Sequence, residues 1–278
     1  MQDVAPTETT LARSPGLYYP FSGGAIMAFR NILLSAILVG VFSGLLYGLF
    51  QHFQISPIIY AAEAYEVVED ATDAVATPAA HGHAETAGHH EHNEEAWGPE
   101  DGAERIGYTI GADIAIGIAY ALFMISLMAL HNLKANKPKL TMATGAAWGM
   151  ASMIIFFAAP AMFGLHPEVP GTEAAILENR QGWWLLCVAL TAAGIAALYY
   201  APIKFKLGGL LLAAIPHIIG APMPEHHGFA NTDPQAIEAL TQLTTQFYLL
   251  TAVGMGIFFV LVGTLSGLAV QRFVKLDA

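Results

Sequence analysis

Apolar residues come in long blocks along this chain, separated by short polar stretches. The blocks fall near 30–51, 108–131, 142–163, 183–201, 207–221 and 243–270. A helix that crosses a bilayer takes about 20 apolar residues, roughly 17–25. All but one of the blocks meet that length. The exception, 207–221, is short and runs into Pro216-His217-Ile218-Ile219-Gly220-Ala221-Pro222. The pattern predicts an all-α, polytopic transmembrane helix bundle of about six spans, or five plus a re-entrant segment if 207–221 does not cross.

Between the blocks the chain divides simply. Residues 1–26 are polar, with Pro and Gly, and read as an unstructured tail. Met27-Ala28-Phe29-Arg30 reads as a start of its own, so the tail is a variable extension on this reading. Residues 27–278 form one transmembrane domain, with a long polar loop at 54–107. Arg30 followed by apolar residues, with Ala62-Glu63-Ala64 as a cleavage-like site, also fits a secretory signal. The apolar run exceeds the roughly 7–15 residues of a signal core, which favours a retained helix. Gly40, Gly44 and Gly48 within it repeat every four residues, a spacing that lets a second helix approach closely. Gly145/Gly149 and Gly263/Gly267 repeat the signal.

Composition agrees with a membrane protein. The chain is 55% apolar and 12% charged, against about 25% charged in soluble domains. Orientation follows from the basic residues. With a cytoplasmic N-terminus and six spans, Arg13, Arg30, Lys134, Lys137, Lys139, Lys204, Lys206, Arg272 and Lys275 lie inside, and only Arg105 and Arg180 lie outside. That puts both termini in the cytoplasm, with the bundle bathed in lipid. It also counts 207–221 as a crossing, because otherwise Arg272 and Lys275 would fall outside.

The net charge of −11 has an address. Twelve acids lie between Glu63 and Glu104, with Glu168, Glu173, Glu178, Glu225, Asp233 and Glu238 in the other outer loops. Such a face concentrates cations and gives no footing for nucleic acid. It also holds eight of the eleven histidines: His81, His83, His89, His90, His92, His166, His226 and His227. The densest stretch is His81–Trp97, HGHAETAGHHEHNEEAW. Imidazole with carboxylate suits late transition metals, and His-rich tracts mark metal binding. Ligands close together on a flexible chain wrap an ion without preorganisation, which suits capture and delivery. The plain alternative is a solvated, disordered acidic loop. His226-His227, after Pro222-Met223-Pro224-Glu225, forms a second cluster on the same side.

Two ionisable residues fall inside apolar blocks. His217 follows Pro216 in the short segment, and Gly/Pro-interrupted short segments point to transporter binding sites. The alternative is a helix-end histidine bonded to a carbonyl. Asp113 lies about one and a half turns into the second block and could bind an ion or accept its proton. The alternative is an interfacial acid paired with Arg105 or water. His52 and His131 read as interfacial residues. The candidate metal ligands are therefore His81, His83, His89, His90, His92, His217, His226, His227 and Asp113.

Other chemistry is thinly supported. Cys187 is the single cysteine, so the sequence offers no disulfide within the chain and no Cys-based metal site. There is no P-loop, nucleotide fingerprint or Ser/His/Asp arrangement, so no catalytic residues are assigned and no enzyme activity is expected. A haem or redox subunit would need axial ligands such as His52 and His217; such sites want histidines deeper in facing helices. A metal sensor or buffer that transports nothing is a further alternative.

From Met27 onward the chain resembles the CbtA family of cobalt transporter subunits. The likeness rests on Phe29-Arg30, on Glu63-Ala64-Tyr65-Glu66, and on the His-rich loop ending in Glu94-Glu95-Ala96-Trp97-Gly98-Pro99-Glu100-Asp101-Gly102, then Glu104-Arg105. It continues through Pro167-Glu168-Val169-Pro170-Gly171, Arg180-Gln181-Gly182-Trp183-Trp184 and Pro216–Pro222. The resemblance implies cobalt uptake that supports cobalamin synthesis. It implies no tightly bound cofactor, with Co2+ as the cargo; His and carboxylate alone do not separate Co2+ from Ni2+ or Zn2+. It also implies a small single-span partner of the CbtB type with a terminal His-rich motif.

Overall fold

The computed structural model describes residues 23–66, 98–133 and 140–274. Every regular element among them is helical. In chain order these are α1 (Gly23–Phe50), α2 (Ser56–Glu63), α3 (Ala103–Asn132), α4 (Met142–Met153), α5 (Ala159–Met162), α6 (Leu177–Tyr200), α7 (Ile203–Ile219) and α8 (Pro234–Phe273). A π-helical turn at Gln51–Ile55 joins α1 to α2, and another at Ile154–Ala158 joins α4 to α5. Five continuous helical stretches are long and apolar enough to cross a membrane: 26–63, 103–132, 142–162, 177–200 and 234–273. These five support a multi-pass membrane bundle. α7, at 17 residues, is shorter than the other candidate spans.

Both π turns have the same local cause. Each ends two residues before a proline, Pro57 or Pro160. A proline ring inside a helix collides with the carbonyl four residues back and offers no N–H. Widening the preceding turn moves that carbonyl aside: Ser56 N–H reaches Gln51 O, and Ala159 N–H reaches Ile154 O. The helices therefore pass through their prolines without breaking. Elsewhere the starts are set by caps. Thr141 and Thr144 bond reciprocally at the head of α4, and Asp233 accepts from Gln235 N at 3.3 Å before Pro234 opens α8.

Glycine decides the packing. The helices associate as α1–α3, α4–α8 and α6–α7, each pair joined where glycines face one another. A methyl group added to Gly44 would lie 2.6 Å from Ile114 Cα, and one on Gly263 would lie 2.6 Å from Gly149 Cα. Only hydrogen at those positions lets the backbones approach so closely. Gly194 and Gly209 make the third pair in the same way, one the sequence pattern did not single out. α8 then joins two pairs by packing on α1 and α3. The central core lies there, around Met124, Ile125, Met128, Phe258, Phe259 and Val262. The α6–α7 hairpin is peripheral: α6 meets α5 and the second π turn, while α7 packs mainly on α6.

The two ends of the bundle are distinct. At one end Asn31 Nδ2 donates to Phe273 O at 3.0 Å, so the start of α1 and the finish of α8 sit together. At the other, the 63–66, 163–176 and 220–233 segments meet. Thr172 bridges Phe229, Ala230 N bonds Gly171 O at 3.0 Å, and Asn231 Nδ2 bonds Tyr65 O at 2.9 Å. A second small core of Ile58, Ala62, Val169 and Leu240 fills the space beneath them.

Some sequence boundaries shift. The second block, read from 108, begins at Ala103, so Asp113 lies nearly three turns inside α3 rather than one and a half. The last block, read from 243, begins at Pro234; at about 1.5 Å per residue its 40 residues make roughly 60 Å. That is twice the roughly 30 Å of a hydrocarbon core, so α8 projects beyond it.

Candidate metal pathway

Among the described residues, the loop end of the bundle carries three ion pairs, formed by two arginines. Arg105 contacts Glu63 and, at 3.1 Å, Asp101. Arg180 Nη2 lies 2.9 Å from Glu168 Oε2. These are the two arginines that depart from the basic-inside pattern, and both are neutralised locally. Arg105 is thus occupied, and Asp113 finds another partner.

That partner is Gln51. Asp113 is 7% exposed and lies against the glycine face of α1. With its amide oriented to donate, Gln51 reaches Oδ2 and Oδ1 of Asp113 at 2.9 and 3.2 Å. Gln51 is the first residue of the π turn that Pro57 imposes. Gly48 leaves room: a methyl there would sit 3.2 Å from Asp113 Oδ2. So a buried carboxylate is held by one amide, in a span, beside a helix irregularity of a kind common at functional sites.

His217 lies near the loop end of α7, in a different helix pair. Its Nε2 is 4.0 Å from Cys187 Sγ on α6, and its ring meets the edges of Phe163 and Trp183 at centroid distances of 5.2 and 6.0 Å. Its Nδ1 is buried and makes no hydrogen bond. Trp183 Nε1 donates to Pro216 O at 3.1 Å and fixes this wall to the helix. The alternative for His217, a helix-end bond to a carbonyl, is not formed. Asp113 and His217 are thus not brought into one site: the first lies between α1 and α3, the second between α6 and α7.

The remaining candidates divide as follows. His226 and His227 are exposed in the 220–233 segment. His81, His83, His89, His90 and His92 lie outside the described residues. Among the described residues, no three His, Cys, Asp or Glu side chains converge to hold an ion. His52 packs on its neighbour Phe53, at 4.8 Å between ring centroids.

Sequence reasoning missed two positions. His131, read as interfacial, is 4% exposed and its Nδ1 lies 2.8 Å from Tyr200 Oη. It lines a cavity of about 550 Å3 between α3, α4 and α6, with Trp148, Tyr199 and Tyr200. A second cavity of about 600 Å3 opens toward the loops beside His166, Arg180 and Trp184. Phe156, in the π turn, lines both. The available signal for His131 was the aromatic pair Tyr199-Tyr200 expected at the same depth. Cys187 was set aside because it is single; its neighbour comes from another helix.

Neither a curated protein nor a solved structure matches this chain. A family model does, and its match is nearly complete. It is the model described as "Probable cobalt transporter subunit (CbtA)", and it covers residues 29–271 of 278, from the head of α1 to the last turn of α8. The span takes in the three ion pairs, Asp113, the His-rich loop and the Pro216-His217 segment, so the chain belongs to the CbtA family of probable cobalt transporter subunits.

Proposed function

We propose that this protein imports cobalt across the bacterial inner membrane, with His- and acid-rich outer loops collecting the ion and His217 and Asp113 handling it within the membrane. The observation that carries the intramembrane part is the burial of Asp113 in a span, against a single amide donor. A carboxylate in that position is costly and rare, and by default marks an ion or proton path. Because His217 and Asp113 lie on separate helix pairs, they act as successive stations. His217, near the loop end, comes first.

Six crossings suit this reading, and the parity of the chain ends supports them. Asn31 and Phe273 meet at one end of the bundle, which favours an even number of crossings. Five long spans alone are odd. α7 supplies the sixth by running antiparallel along α6, with Gly209 beside Gly194 and His217 beside Cys187. The Lys and Arg bias then puts the Asn31 end in the cytoplasm and the loop end in the periplasm.

The outer loops act by concentration. Carboxylates raise the local cation level, and imidazoles exchange the ion toward the bundle. A transporter subunit has a partner, and a single-span CbtB-type protein with its own His-rich end is the one we infer. The test is metal uptake by cells expressing the chain with and without that partner, using cobalt, nickel and zinc. Cobalt accumulation that needs both proteins is the expected result; unchanged accumulation of all three metals removes the proposal.

A further inference from the structure

The geometry points to Cys187 and His217 as a two-ligand nitrogen–sulfur site for a late transition-metal ion, formed between α6 and α7. This rests on the transport reading and supplies the first intramembrane station with a second ligand, one absent from the sequence-level set.

The distance is the first reason. His217 Nε2 and Cys187 Sγ are 4.0 Å apart. Metal bonds of about 2.3 Å to sulfur and about 2.0–2.1 Å to imidazole nitrogen span roughly 3.6 Å at a tetrahedral angle and roughly 4.4 Å when linear. The observed gap falls between the two. As a direct contact the pair is poor, since a thiol is a weak donor and weak acceptor.

The second reason is the state of the histidine. Nδ1 is buried and bonds to nothing. Here Trp183 and Phe163 hold the ring by its faces and edges, and no internal bond competes for Nε2. The ring is positioned by packing, with that nitrogen aimed at the sulfur.

The third reason is the surroundings of the sulfur. Cys187 is fully buried, and Thr191 Oγ1, one turn on in α6, lies 4.0 Å from Sγ. A sulfur ligand shifts preference toward Co2+, Ni2+, Zn2+ or Cu+ and away from Mg2+ and Ca2+. The outer carboxylates alone would not make that distinction. Two protein ligands hold an ion less tightly than a closed four-ligand site, which suits cargo in transit. On binding, the thiol becomes thiolate: the S–H proton leaves to water at the loop end, one metal–sulfur bond forms, and no oxidation occurs.

The experiment titrates CoCl2 into the purified full-length protein and follows near-ultraviolet thiolate-to-cobalt charge-transfer absorption. Cys187 is the only cysteine, so the signal has one source. The wild type should develop the band, and correctly inserted Cys187→Ser should not. His217→Ala should need at least about tenfold more Co2+ for half the signal. His217→Ala titrating like wild type overturns the pairing. Co2+ bound without a sulfur band, in a protein that imports cobalt, overturns this site and leaves the transport reading intact. A sulfur band in a protein that moves no cobalt keeps the site and removes the transport reading.

Discussion

Trp183 and Pro216 tie α6 to α7: the indole N–H donates to the proline carbonyl at 3.1 Å, and both side chains are buried. Pro216 O also accepts Gly220 N–H at 3.0 Å. Trp183→Phe keeps the ring contact and removes one of the two bonds. It should cost about 0.5–1.5 kcal/mol, seen as a modest fall in melting temperature in detergent. Trp183→Ala also removes the wall beside His217 and should cost about 3–5 kcal/mol. Equal melting temperatures for the two variants would contradict this account of the hairpin.

The glycines separate into two groups by what surrounds them. A methyl on Gly44 meets Ile114 Cα and the Asp113 carbonyl carbon at 2.6 and 2.9 Å, while one on Gly111 meets nothing within 4 Å. Gly44→Ala should therefore destabilise by about 1–3 kcal/mol through overpacking. Gly111→Ala should stabilise by up to about 1 kcal/mol through helix propensity. Thermal unfolding of the two variants side by side is the check.

Orientation can be read by labelling. Ala174→Cys and Met223→Cys are exposed at the loop end, and Leu133→Cys is exposed at the other. An impermeant maleimide added to spheroplasts should label the first two and spare the third. The buried Cys187 should stay silent. Labelling of Leu133→Cys alone would reverse the assignment.

The loop histidines should act together. Replacing His81, His83, His89, His90 and His92 should slow uptake at trace metal and change little at saturation, because a capture site raises local concentration. Single replacements should be mild. The ligand is neutral imidazole, so protonation competes with metal. Apparent affinity should fall as external pH drops below about 6.5 and recover above it. Affinity that is flat from mildly acid to neutral pH, or a five-fold variant normal at trace metal, would leave the loop as a solvated linker.

The intramembrane residues should behave differently from the loop. His217→Ala should lower the maximal rate of uptake at every metal concentration, since no neighbour in sequence replaces it. Asp113→Asn keeps the contact with Gln51 and should also lower the rate. If the two are stations on one route, the double variant should be no worse than the poorer single. Full maximal uptake by His217→Ala, with the protein correctly inserted, would remove that residue from the route.

The sequence by itself determined the class of molecule. Long apolar blocks define membrane helices because a backbone in lipid must bond to itself. The glycine repeats marked three helices that pack closely, since close approach needs small residues at four-residue spacing. The ordered motifs from Phe29-Arg30 to the Pro216 segment identified the family, which the match over 29–271 bears out. The concentration of histidines and acids on three of the loops was also legible.

Partners across helices were not. Spacing along one helix cannot say which residue of another helix faces it. Arg105 was one alternative partner for Asp113, but Arg105 is held by Glu63 and Asp101, and a proline-induced π turn brings Gln51 to the acid instead. His131 became a buried cavity residue only because α6 delivers Tyr200 to it. Cys187 became a neighbour of His217 only because Gly194 and Gly209 let α6 and α7 run so close. Local pattern fixes which segments enter the membrane; contact between helices, set by where side chains are small enough to admit a neighbour, fixes which polar groups meet inside it.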